Sequence, residues 1–258
     1  MLAVLGLLGS VQLVSLAGGR AGSQADRCRD NLRRLAQAWV MYADDNGGKL
    51  TPNNGSNTTH PRGTWAAGWL DYTSSFDNIN TDLLIAFEKT GNYGHLGPYL
   101  QRDFSVFRCT TDTSTVELAG RLYNRVRSVS MNGWMGGDAY CGGNGGNTYL
   151  VYRQLSEVTV PAQRWVLIEE SLGSLNDSWF AIRLGDMVGG RWLVDYPGSQ
   201  HGGGAWLNFA DGHVEYRRWL DPRTLPVIKP GELFPLQVPM NPPNPDMAWL
   251  QERTSGPR

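Results

Sequence analysis

Apolar and polar positions fall into two regimes along this chain. From Met1 to Ala17 the sequence reads MLAVLGLLGSVQLVSLA, uncharged, with Ser10, Gln12 and Ser15 as its polar residues. As a helix this run reaches about 25 Å, a little short of the roughly 30 Å hydrocarbon core of a bilayer. Such a segment rarely opens a soluble chain, so it predicts membrane insertion or export rather than a buried core helix. Ser15-Leu16-Ala17 offers a small-x-small cleavage site, but the positively charged start of a secretory signal is missing. A basic collar follows at Arg20, Arg27, Arg29, Arg33 and Arg34. Then Leu32, Leu35, Ala36, Trp39, Val40 and Ala43 recur at helical spacing and form one apolar stripe. The stripe stops at Asp44-Asp45-Asn46-Gly47-Gly48, a helix stop by composition. The simplest reading is a nearly continuous helix to about Asp45, with an apolar stem and an amphipathic half lying on a globular domain. Charge counting leaves the membrane orientation open.

Beyond Lys49 the periodicity shortens. Strands are predicted at Val106–Cys109, Arg127–Met131, Trp165–Glu169, Trp179–Leu184, Arg191–Val194, Ala205–Phe209 and His213–Arg217. Asp211-Gly212 between the last two predicts a hairpin with a type I′ turn. Asn- and Gly-rich loops lie at Pro52–Pro61 and Gly136–Asn147. Nine of the 14 prolines follow Leu220, so the tail is expected to run extended over the surface or hang free, with a short helix at Asp246–Arg253 capped by Asp246. The fold class is α+β: a long N-terminal helix packed on an antiparallel β-sheet head with long loops. The divisions are residues 1–19 (stem), 20–48 (amphipathic continuation), 49–220 (head) and 221–258 (Pro-rich tail).

Composition narrows the function classes. The 10 Trp, 10 Tyr and 7 Phe supply enough area for a core. A net charge of -1 gives no global electrostatic case for nucleic-acid binding. Among candidate chemistries, His201, Asp211 and His213 suit a metal by donor type. Glu169 and Glu170 end an apolar strand, so one carboxylate points inward, and Glu170 with His201 and Asp211 is a candidate calcium or zinc set. The competing and preferred expectation is structural. Asp211 serves its own turn with Gly212, and His201 bonds to that turn to lock Gly202–Gly204 over the hairpin. Asp44–Gly47 lacks the spacing of a calcium loop. Ser171 or Ser199 with His201 and Asp211 supplies hydrolase residue types without a nucleophile elbow, and no enzyme is expected. Trp65, Trp69, Trp134, Trp179, Trp192 and Trp206 leave open a carbohydrate platform, the basis of the alternative function: an exported soluble carbohydrate- or ligand-binding module released by signal peptidase.

Five segments in order carry a resemblance. They are Cys28–Leu35 leading to Met41–Asn46; Phe107-Arg108-Cys109 with Asp112; Ser130–Trp134; His201 followed by nine residues and Asp211-Gly212; and Asn244–Gln251. Together they resemble the pseudopilin-like, type IV pilin-related proteins marked by a His-x9-Asp-Gly motif, although Thr110 stands where the family has Pro. The resemblance implies a pilin-like fold and a single-pass protein of the bacterial inner membrane with its head in the periplasm. Its function would be that of a structural subunit of a type II secretion or pilus-like filament. The implied partners are other pseudopilins through the N-terminal helix, the inner-membrane assembly machinery and membrane lipid. The Gly-Phe-Thr-Leu-x-Glu segment cut by prepilin peptidase is absent. A start codon set too late accounts for that, and a member that is neither processed nor assembled is the alternative. Cys28 and Cys109 occupy the two family positions, so the resemblance implies a disulfide between them; Cys141 competes for either, and all three stay reduced if the head is cytoplasmic.

Overall fold

The computed structural model describes residues 3–54, 63–137, 148–184, 192–235 and 238–258, with side chains from Gln24 onward in the N-terminal helix. Helix α1 spans Ala3–Asp45, 43 residues or roughly 65 Å. Leu32, Leu35, Ala36, Trp39 and Ala43 are buried as the stripe requires, and Cys28 carries the buried face one turn further back. The helix ends where Asn46 and Gly47–Gly48 take over. Gly47 and Gly48 adopt φ of 64° and 82°, and the Gly48 N–H returns to the Ala43 carbonyl at 2.8 Å. Among the described residues no helix is long and apolar enough to cross a membrane. The predicted apolar stem lies ahead of the described side chains.

Short helices α2 (Asp82–Ile85) and α3 (Phe87–Thr90) precede the strands. Strands β1 (Thr115–Leu118) and β2 (Arg121–Asn124) form a separate hairpin. The main sheet contains β3 (Val129–Asn132), β4 (Trp165–Glu169), β5 (Trp179–Phe180), β7 (Gly204–Phe209) and β8 (Val214–Arg218) in the order β5-β3-β4-β7-β8. Strands β6 (Trp192–Leu193) and β9 (Val238–Pro239) pair with each other elsewhere. The sheet is mixed rather than antiparallel, because edge strand β5 runs parallel to β3. Val106–Phe107, expected to be extended, instead belong to a 3-10 turn at Phe104–Phe107. Asp103 caps it by accepting the Ser105 N–H, which gives the chain a local alternative to a strand.

Each face of the sheet has its own core. On one side α1 covers Val129, Met131 and Leu167. On the other, Ile168, Ala205, Leu207 and Phe209 pack with Met247 and Leu250 of helix α4 (Pro245–Thr254). The proline-rich tail is therefore part of the core, not a loose extension. Asn244, not Asp246, caps α4, accepting the N–H groups of Asp246 and Met247 with Pro245 at the first helical position. Asp246 instead receives the N–H groups of Leu220 and Asp221. Its buried carboxylate thus ties the end of the head to the tail.

The predicted β7–β8 hairpin forms, with a different turn. Phe209 and His213 flank a three-residue loop in which the Gly212 N–H returns to the Phe209 carbonyl at 2.8 Å. Gly212 alone among these loop residues has positive φ, at 90°. That is a type I turn closed by a left-handed glycine, so Asp211 keeps ordinary backbone geometry.

Candidate functional site

Four side chains from four distant segments converge between α1 and the sheet. Cys28 lies four residues before Leu32 and seven before Leu35, so helical geometry turns its thiol toward the head. Cys109 follows the Asp103-capped turn, and its backbone N–H donates to the Ser128 hydroxyl at 2.7 Å. Glu169 closes β4 on the face that Leu167 shares with α1. His201 sits in the turn before β7, held there by the Tyr216 hydroxyl, which donates to the His201 carbonyl at 2.6 Å.

The ligand-type atoms of Cys28, Cys109, Glu169 and His201 all lie within 4.8 Å of one another. The Sγ atoms of Cys28 and Cys109 are 2.8 Å apart, and both residues are free thiols. His201 Nε2 stands 3.2 Å from Cys109 Sγ and 3.1 Å from Glu169 Oε1. The other Glu169 oxygen accepts the Trp206 N–H at 2.9 Å, which fixes the carboxylate plane. The Thr110 N–H donates to Cys28 Sγ at 3.0 Å, and the Thr111 hydroxyl lies 3.0 Å from Cys109 Sγ. The His201 side chain is 6 % exposed and that of Glu169 1 %. A cavity of about 490 Å3 lined by Gln24, Ala25, Thr111, Gln200, His201 and Trp206 leads to the imidazole from solvent.

The surroundings push the two thiols in opposite directions. The hydrogen bond from Cys109, the largest influence, pulls the Cys28 thiol down to about 4 against the opposing effect of burial. That same hydrogen bond, together with burial and the Glu169 charge, drives Cys109 far upward. Burial alone would lower His201, but the Cys28 thiolate and the Glu169 carboxylate outweigh it and raise the imidazole to about 10. A nucleophile–base–orienter relay would split its partners between the two ring nitrogens. Here Cys109 and Glu169 both address Nε2, which is the geometry of donors aimed at a common centre.

The residues expected from sequence are distributed differently. His201 turns to Glu169, not to the Asp211–Gly212 turn. Asp211 is exposed and accepts both the N–H and the Nδ1 of His213. Glu170 accepts hydrogen bonds from the hydroxyls of Ser130 and Ser174. The Glu170, His201 and Asp211 set is therefore not assembled, because strand alternation sends Glu170 away from His201 and the hairpin spends Asp211 on its own turn. Cys28 and Cys109 do meet, as unbonded neighbours, while Cys141 lies outside the described residues. Among the described residues the His201 ring meets the Cys109 thiol at 3.2 Å, and its hydrogen-bond partners include neither Ser171 nor Ser199. Of the tryptophans, Trp65 and Trp134 are buried, their indole N–H groups donating to the Ser178 and Ile182 carbonyls. Trp69, Trp179 and Trp206 are half-buried. The side chain of Trp192 lies outside the described residues.

Sequence reasoning missed the meeting of the cysteines with His201 and Glu169. The recurrence of Cys28 on the apolar stripe was a readable signal for its burial. Nothing in the spacing of residues 28, 109, 169 and 201 announces their convergence. Comparison of the chain with protein-family models, curated proteins and solved structures returns no match.

Proposed function

We propose that this chain is a membrane-anchored, pseudopilin-like structural subunit that acts by assembly rather than catalysis. The observation that carries the reading is the division of labour along α1. Its half from Cys28 to Ala43 buries a face against the head, while the sequence ahead of Arg20 is uncharged and mostly apolar, the composition that suits lipid or neighbouring helices. Helices of that kind associate by close packing in a membrane, with Gly6 and Gly9 permitting near approach. The five ordered segments that resemble the pilin-related family support the same reading. It places the head in the periplasm of a bacterial inner membrane, with other pseudopilins, the secretion machinery and membrane lipid as partners.

The test is the mature N-terminus of the native protein, read by mass spectrometry of the membrane fraction, with in vivo cross-linking at Leu7 and Val14. An N-methylated terminus with cross-links through the stem is expected. A terminus at Gly18 on a soluble, uncross-linked protein would overturn the proposal. It would favour an exported binding module, for which half-buried Trp206 and exposed Tyr216, their rings 5.4 Å apart beside the cavity, provide the aromatic surface.

A further inference from the structure

We propose that Cys28, Cys109, Glu169 and His201 form a zinc site that fastens α1 to the head. Donor chemistry and placement point to this site independently of the pilin-like reading. Two thiolates, an imidazole and a carboxylate make a four-ligand set that suits zinc, and the thiolates disfavour calcium and magnesium, which take oxygen donors. Four donors from four separate segments exhaust a tetrahedral shell and leave no position for substrate, the form of a structural rather than catalytic site.

The surroundings support the first shell. The Trp206 N–H orients Glu169, the Thr110 N–H supports Cys28, and the Ser128 hydroxyl fixes the backbone that presents Cys109. The cavity beside His201 gives an ion a path from solvent. Two thiolates on one zinc stand roughly 3.8 Å apart, from Zn–S bonds of about 2.3 Å in a tetrahedron. The sulfurs at 2.8 Å therefore open by about 1 Å when the ion enters. The competing fate of the same pair is exchange with an external disulfide oxidant, which takes two electrons and the two thiol protons as it is reduced to a dithiol, bonds the sulfurs at about 2.05 Å and removes both thiolate ligands. Zinc and a Cys28–Cys109 disulfide are mutually exclusive.

The consequence is mechanical. The ion joins α1, the segment after the Phe104–Phe107 turn, β4 and the loop before β7, so the angle between helix and sheet becomes fixed at one point.

The full chain, purified in detergent under reducing conditions and passed through gel filtration after incubation with zinc, is expected to retain one zinc per chain by elemental mass spectrometry. Replacing zinc with cobalt(II) should give thiolate-to-cobalt charge-transfer absorption and tetrahedral ligand-field bands. Stripping with a strong chelator should lower the Tm by about 10 °C, the effect of an ion held at roughly a thousand times its Kd. Cys28→Ser and His201→Gln should each lose zinc retention, and Asp211→Asn should keep it. Should the variants fail to fold, the cobalt spectrum of the unaltered chain still decides. Retention below about one zinc in ten chains after reduction and incubation would overturn the site, as would a cobalt spectrum without thiolate charge transfer. So would native protein carrying a Cys28–Cys109 disulfide and no metal.

Discussion

Glu169 and Glu170 stand one peptide bond apart at the end of β4, and strand alternation sends them to opposite faces of the sheet. Glu170 enters a closed network. Two serine hydroxyls donate to it, and Arg127 lies close enough to act on it electrostatically while donating to the Val129 and Asn176 carbonyls and the Ser130 hydroxyl. Burial raises Glu170 to about 7, with Ser130, Arg127 and Ser174 opposing the rise. Burial also lowers Arg127 to about 10. Glu169, equally buried, instead meets a single backbone N–H and a group of other ligand-type atoms. A polar group bonded to hydroxyls and carbonyls is structural, whereas one gathered with thiols and imidazole retains capacity for an ion.

The largest effect expected on either face is that of Trp39→Ala. Removing this fully buried indole from the α1 interface should cost about 3–5 kcal/mol. Urea unfolding would measure it, and a loss below about 1 kcal/mol would mean that α1 contributes little to the head.

The two glutamates provide the direct contrast. Glu170→Ala leaves the Ser130 hydroxyl without its acceptor, and the Ser174 hydroxyl with only its longer bonds to the Ser171 and Tyr196 carbonyls, and should cost about 2 kcal/mol, with zinc retention unchanged. Glu169→Ala should abolish retention while costing less in metal-free protein. Identical behaviour of the two variants in both assays would remove the distinction between the faces.

Asp177 extends the contrast to pH. Burial raises its carboxyl from 3.8 to about 6, outweighing the Trp179 N–H and the Arg127 charge. Its folded value exceeds its unfolded one, so the unfolded chain releases this proton first. The associated stability is complete below pH 3.8 and is lost as pH rises through about 6. The expected loss is about 3 kcal/mol, and Asp177→Asn should flatten this slope in unfolding curves taken across that range.

The smallest effect belongs to the exposed clamp between Arg34 and Asp103, 2.7 Å apart at the α1 surface. Arg34→Ala should leave the unfolding midpoint nearly unchanged, since solvent screens such pairs. A large shift would show that the helix is held more by surface charge than by Trp39.

Much of the α1 face was legible because a helix repeats its burial every three to four residues, and Leu32, Leu35, Trp39 and Ala43 follow that rule without interruption. The β7–β8 hairpin was equally readable, yet its turn type was not. Asp211-Gly212 fits a two-residue turn by composition, but the register adds Ala210 to the loop. The two-residue turn with both central φ positive occurs at Ala119-Gly120, where φ is 52° and 76°. Alanine seldom adopts that conformation, so its local sequence carried little warning. Glu169 and Glu170 could be narrowed to a pair but not separated, because the register shifts between Trp165 and Leu167 and alternation cannot be counted through it. The four-residue cluster was beyond reach for a simpler reason: its members meet only through tertiary packing.

The bonds from Asn132 set an order of events during synthesis. Its amide reaches the Trp165 and Thr254 carbonyls, both at 2.9 Å, joining β3 to residues made 122 positions later. Trp165 likewise donates to the Thr254 hydroxyl at 3.1 Å. While residues 245–254 remain inside the ribosome, the face carrying Ile168, Leu207 and Phe209 has no helix to cover it. The α1 face can assemble as soon as β8 emerges. The opposite face waits for α4, and through that interval a nascent chain presents an apolar sheet surface to any chaperone within reach.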